Sequence, residues 1–319
     1  MVEDSVETGL RDELLANVRR LTRIVLDRLE NGAREGTLDQ GQVVAFRRQL
    51  PSGEIREFRG QVESCKRAGV EIIRWVDERY PPQLRGLIGT PGGPPLLLLK
   101  RGPLGTFDRC VAVAGTRDAS FYGRTKTLEI AQALASKGFV IVSGLARGID
   151  EWAHVGALKA KSGKTAAVLP WLDPVYPPEH AELLHDIEEK GASLSEHYVQ
   201  RFWKTAKGKF VERNRITSGL SLCVLAMESD QEGGTVHQVD LALRQGKKVF
   251  ALLPKKTLRA KRGFDLFLSK GATPMHSADE VLDYLKSQKR PVKETRMDAF
   301  YPNPQGKLDF GNTRSEDSF

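Results

Sequence analysis

From Cys110 to Leu253 short apolar runs and longer helical patterns alternate without a break, and no other property of the chain restricts the fold as much. The apolar runs, at 111–114, 139–143, 165–169, 222–227 and 248–253, read as strands, and the stretches 122–137, 149–161, 178–190 and 233–244 between them read as helices. The strand runs are apolar throughout rather than at every second residue, so both faces of the sheet must be covered. Gly138, Gly191 and Gly246 stand where three of the helices should stop. Strands buried on both faces and separated by helices give an α/β fold, a Rossmann-like doubly wound sheet that is mostly parallel.

The flanks read differently. Leu14, Val18, Leu21, Val25 and Leu29 recur at helical spacing among charged residues, and Asn31-Gly32 supplies a stop, so residues 1–68 form a small N-terminal helical module. The α/β domain occupies 69–287. It opens with two short apolar runs beside prolines, 70–75 and 96–100, which suggest edge strands. Its last helix begins near Ser277, with Glu280 three residues on as a capping-box partner. Residues 288–319 are a basic linker and a tail poor in aliphatics, for which disorder is expected.

Of the 319 residues, 49 are Lys or Arg and 41 are Asp or Glu, a formal charge of +8 that favours an anionic partner. The cysteines, Cys65, Cys110 and Cys223, lie far apart with no CxxC spacing, so reduced, buried and inert thiols are expected rather than a zinc site or disulfides. The N-terminus is acidic without an apolar core, and no apolar run approaches the roughly 18 residues of a membrane span. A soluble cytoplasmic protein with no membrane partner is the expectation.

Ligands of a doubly wound sheet bind where its strands end and their helices begin. Strand 111–114 runs into Gly115-Thr116-Arg117, a turn that could bring backbone N–H groups, a hydroxyl and a guanidinium to a phosphate or could be a tight turn with a surface arginine. Strand 139–143 runs into Gly144-Leu-Ala-Arg147-Gly148-Ile-Asp150, where Asp150 either caps the next helix or pairs with Arg147. The densest segment, 204–220, holds Lys204, Lys207, Lys209, Arg213 and Arg215 against one acid, Glu212, with Phe210 in its middle. Cations interleaved with an aromatic face suit single-stranded nucleic acid, while a core Phe210 with a solvated basic helix face would leave the same pattern. Neither GxGxxG nor GxxxxGK[ST] occurs, and the six histidines have no metal spacing and join no Ser-His-Asp or Cys-His arrangement. No catalytic set, cofactor or metal site is expected.

The stretches RYPPQL, GTR at 115–117, SGLARGID at 143–150, VYPPEH at 175–180, GASLSE at 191–196, FVERNRITSGLS at 210–221, KKVFALLP at 247–254 and GFDLFLSKGA at 263–272 resemble, in this order, the DprA (Smf) DNA-processing family. The resemblance covers about 70–285. It implies a phosphate-binding pocket at Gly115, Thr116, Arg117, Gly144, Arg147, Gly148, Arg213, Asn214 and Arg215. It also implies base contacts from Lys207 and Phe210, with Gly208 between them approaching the DNA backbone and Lys209 in the same segment. The implied role is non-enzymatic: a homodimer without metal or nucleotide cofactor that binds and protects single-stranded DNA and promotes loading of a RecA-type recombinase in natural transformation. A sensor of nucleotides or foreign DNA, as in phage defence, would use the same fold. A third reading is a nucleotide phosphoribohydrolase, because Glu232-Gly-Gly-Thr235 resembles the PGGxGTxxE loop of those enzymes. Here no GT follows at the right interval, and Val239 or Asp240 stands near where the acid belongs.

Overall fold

The computed structural model describes residues 63–75, 77–90, 92–199, 203–255 and 258–287. The expected helical module up to residue 62 and the expected tail beyond 287 lie outside the described residues. Residues 63–67 are helical, and Cys65 is buried against Val70, Leu99, Leu145 and Ala167 of the α/β domain.

The strands are β1 (Glu71–Arg74), β2 (Leu97–Arg101), β3 (Cys110–Ala114), β4 (Val140–Ser143), β5 (Lys164–Val168), β6 (Ala192–Ser195), β7 (Cys223–Ala226), β8 (Lys248–Leu252) and β9 (Thr273–Met275). The helices are α1 (Pro82–Arg85), α2 (Phe121–Ser136), α3 (Ile149–Lys159), α4 (Ala181–Lys190), α5 (Trp203–Glu212), α6 (Asn214–Leu220), α7 (Gly234–Arg244), α8 (Leu258–Ser269) and α9 (Ala278–Ser287). One sheet joins the strands in the order β1-β2-β6-β5-β4-β3-β7-β8-β9, antiparallel where β2 meets β1 and β6 and parallel elsewhere. The chain steps outward from β3 through β4 and β5 to β6, then returns to the other side of β3 with β7. The sheet is therefore wound in both directions, with its switch point between β3 and β7.

Alternate residues of β3 face opposite layers, as the two-residue period of a strand requires. Val111 and Val113 pack with Ile130 and Leu134 of α2, Ile149 and Ala153 of α3 and Val281 of α9. Ala112 packs on the other face with Val239 of α7 and Phe267 of α8. Covering both faces explains why these strands carry continuous apolar runs.

Two expectations are corrected. The run at 96–100 is not an edge strand: β2 lies inside the sheet between β1 and β6, with Leu98 and Leu99 buried. Its Lys100 is buried as well, giving Nζ to the Leu104 carbonyl at 3.0 Å and to Glu71 at 2.7 Å. The segment 204–220 is two helices, α5 and α6, and the second is buried along its whole length. The Ser277 start of the last helix is as expected. Glu280 accepts from the Ser277 hydroxyl at 2.7 Å and from the Ser277 N–H at 3.1 Å. Partial burial opposes the Glu280 carboxylate, but the hydrogen bonds from Ser277 and His276 prevail and hold its pKa down at about 2.

A cationic cleft at the switch point

At the carboxyl ends of β3, β4 and β7 the loops enclose a cleft of about 900 Å³. Gly115, Thr116 and Arg117 line it from β3, Gly144 and Ala146 from β4, Phe210, Arg213 and Asn214 from the α5–α6 corner, and Gly233 to Thr235 from beyond β7. A second, smaller recess brings Arg117 and Arg147 to the same mouth, with Tyr176 and Phe210. The three arginine-bearing segments thus converge as the sequence suggested.

The β3 and β4 turns are locked together. Ile149 donates its N–H to the Thr116 carbonyl at 3.1 Å. Gly148 has φ 77°, and a Cβ there would stand 2.5 Å from the carbonyl oxygens of Thr116 and Arg117. Only glycine fits that position. Gly148→Ala is expected to cost more than about 1 kcal/mol of stability, from the positive φ alone before the backbone overlap is counted. A thermal midpoint equal to that of the native protein would contradict this packing.

The cationic residues have different roles. Arg117 is exposed and stands over the Phe210 ring, 5.6 Å from its centroid. Arg147 is also exposed but paired with Glu179, which holds the guanidinium charged. Asp150 does not reach for Arg147: its carboxylate accepts from the Ala146 N–H at 3.4 Å and lies 3.8 Å from Arg213 Nη2. Arg213 is buried, with Nη1 donating to the Val168 carbonyl at 2.6 Å. Burial pulls the Arg213 pKa down and pushes the Asp150 pKa up, each opposed by the other's charge. A Cβ at Gly144 would overlap the Arg213 guanidinium, so this glycine makes room for it.

Arg215 departs from expectation. Its guanidinium is turned into the protein, bound to Glu196 by two hydrogen bonds of 2.6 Å and to the carbonyls of Gly92 and Gly93, and it does not line the cleft. Lys209 pairs with Glu212 at 2.8 Å. Lys207 falls on α5 with its side chain outside the described atoms. Gly208 is exposed, with nothing within 4 Å of where a Cβ would stand.

Phe210 is half-buried. Trp171 and Tyr176 pack edge-on against it at 5.3 and 5.4 Å between centroids. These two aromatics were missed as site residues, although Trp171 to Pro178 alternates aromatics with prolines in a way that marks a fixed, ring-bearing loop. Glu228, at the end of β7, accepts from the backbone N–H and the hydroxyl of Ser120, each at 2.9 Å, and so holds the start of α2. The three cysteines are buried and burial raises their thiol pKa values, that of Cys223 to about 12. Among the described residues no helix is long and apolar enough to cross a membrane.

Fold and cleft define a doubly wound α/β protein whose switch-point cleft presents arginines and an aromatic ring. The family model described as DNA recombination-mediator protein A matches residues 71–286, and the chain belongs to that family. It is 30% identical over 256 residues to DNA processing protein DprA of Bacillus subtilis, covering 78% of this chain and 82% of the relative. Protein Smf of Synechocystis is 32% identical over 272 residues, covering 80% of this chain, but the chain spans only 65% of that relative's length. Among solved structures, the X-ray structure of DprA from Streptococcus pneumoniae superposes with a TM-score of 0.63 at 28% identity, over 80% of this chain and 86% of that one. The Helicobacter pylori DprA structure, described for its single-stranded DNA binding mode, superposes with a TM-score of 0.59 at 28% identity, over 69% of this chain and 97% of that one.

Proposed function

We propose that the protein binds single-stranded DNA at this cleft and acts in DNA processing without cutting the strand. The observation that carries the reading is the placement of the exposed Arg117 over the Phe210 ring at the mouth of the switch-point cleft. A flat ring offers a base a stacking surface, and a guanidinium beside it, with no ion-pair partner among the described residues, offers a phosphate two donors. The single-stranded DNA binding mode of the Helicobacter pylori relative supports the same choice of ligand.

In this reading Gly115, Thr116, Arg117, Gly144, Arg147 and Gly148 form the rim that meets the phosphate backbone. Gly208 leaves room for the strand, Lys209 extends the cationic side, and Lys207 is assigned to the strand by the family resemblance alone. Asn214 faces the cleft, whereas Arg213 and Arg215 hold the architecture. Val239 is buried in the core and Asp240 pairs with Lys270 at 2.8 Å, and neither lines the cleft, so the phosphoribohydrolase reading lacks its acid there. Protection of incoming DNA, assembly as a homodimer and delivery of the strand to a RecA-type recombinase complete the proposal.

Fluorescence anisotropy with a labelled oligonucleotide tests it. Affinity for single strands should fall with salt at a logarithmic slope of about −0.7 per phosphate neutralised. Phe210→Ala should cost about 1–3 kcal/mol of binding. Salt-independent binding, or equal affinity for a duplex of the same sequence, would end the proposal.

A further inference from the structure

The inner part of the cleft has a different chemistry from its mouth. The Asn214 and Thr235 side chains are each 7% exposed and line the cleft, and among the described residues neither side chain has a hydrogen-bond partner. Their polar atoms are not sealed from the cleft, so each has a hydrogen bond to offer whatever enters it, and Thr217, which also lines the cleft, has a buried Oγ1 without a partner among the described residues. Thr235 sits in the first turn of the 11-residue α7, after Gly233, whose φ is 116°. A Cβ at Gly233 or Gly234 would meet nothing within 4 Å, so the free N–H groups that start α7 are open to the cleft.

A helix start with open N–H groups, a hydroxyl and a carboxamide form a neutral, multidentate anion site. The acids around it decide which anion. Asp230 and Glu232 also line this side, Asp230 lying 3.4 Å from Arg262. Carboxylates repel a polyanion that runs past them but accept hydrogen bonds from sugar hydroxyls and base amino groups. The whole cleft, mouth included, has a volume of about 900 Å³, within the range of small-molecule sites.

We infer that the inner cleft is a binding site for a nucleoside 5′-phosphate, its phosphate on Thr235, Asn214 and the first N–H groups of α7. The phosphate monoester can come from a free mononucleotide or from the 5′ end of a strand held at the mouth. The inference rests on the reading of the cleft as a phosphate-binding site. It adds residues beyond β7 to that site and makes it sensitive to how a strand ends.

The test uses the full chain and three probes: dAMP by isothermal titration calorimetry, and one oligonucleotide sequence with either a 5′-phosphate or a 5′-hydroxyl. dAMP should bind, and Thr235→Val should weaken it by about tenfold or more, the loss of one hydrogen bond to a charged group. Thr235→Ser should restore it. A preference for the 5′-phosphate oligonucleotide that disappears in Thr235→Val identifies the strand end as the source. dAMP binding without that preference identifies the free nucleotide. If dAMP does not bind up to roughly 1 mM and the two oligonucleotides bind alike, the inference is overturned while single-strand binding stands. dAMP binding unaffected by Thr235→Val overturns the site. Failure of the native protein to bind either oligonucleotide rejects the proposed function instead.

Discussion

Replacing Arg213 by alanine is expected to cost about 3–5 kcal/mol of folding stability, the range for removing one partner of a buried ion pair. The guanidinium joins three elements that sequence keeps apart. It donates to the Val168 carbonyl at the end of β5, fills the space above Gly144 at the end of β4, and faces Asp150 in the first turn of α3. Without it, the Asp150 carboxylate is left in the interior with neutral donors only, the N–H groups of Ala146 and Gly144 and the Ser143 hydroxyl. The double variant Arg213→Ala with Asp150→Ala should recover part of the loss, because it removes the stranded charge together with its partner. Urea unfolding of the native protein, both single variants and the double variant measures the coupling. A loss under about 1 kcal/mol for Arg213→Ala would mean that the residue is a solvated surface charge. The same measurement separates two explanations of weakened DNA binding in this variant, since a contact residue lowers affinity at unchanged stability and a positioning residue lowers both.

That distinction marks where sequence stops being informative. The turns after β3 and β4 could be read because their chemistry is local: Gly148 has a positive φ, and Arg117 follows its strand by three residues. The parallel core strands could be read for the same reason, since a run apolar on both faces has one kind of environment. The roles of Arg213 and Arg215 could not, because charge is written in the sequence and burial is not. Their partners, Asp150 and Glu196, come from other layers, and Glu196 lies 19 residues away on the far side of a helix. Strand β6 escaped notice because Ala192-Ser-Leu-Ser195 is neither branched nor strongly apolar. It is buried because its hydroxyls find local partners: Ser193 donates to Glu188 and Ser195 accepts from the His197 N–H at 3.0 Å. The prolines ahead of the run at 96–100 suggested an edge strand, whereas Lys100 is held inside the sheet by the carbonyl of Leu104 and the carboxylate of Glu71.

Acidification from pH 7.5 to 5 is expected to destabilise the protein with a limiting slope of about 1.4 kcal/mol per pH unit for each buried neutral histidine. His154, fully buried on α3, sets the effect. Thr165 spends its hydroxyl proton on the Ile141 carbonyl at 2.7 Å, so its oxygen accepts from His154 Nδ1, also at 2.7 Å. His154 is therefore the Nδ1–H tautomer, and its buried Nε2 has no partner among the described residues. Burial first, then the neighbouring Arg213 guanidinium, push its pKa from 6.5 down to about 3. The unfolded chain takes up this proton near pH 6.5 and the folded protein refuses it until about pH 3. Stability is therefore highest above pH 6.5 and falls throughout the interval below it. His197 is shifted in the same direction, by burial and by Lys209 as the next cause, and adds to the slope. Carboxylates with lowered pKa values, such as Glu280, lose their contribution only below their unfolded value near 4.5, so the histidines govern the upper part of the range. Urea midpoints at half-unit steps of pH should show the decline, and His154→Gln should make it shallower. A midpoint that does not move between pH 7.5 and 5 would mean that His154 takes up its proton at Nε2 in the folded state, and that burial does not keep the ring neutral.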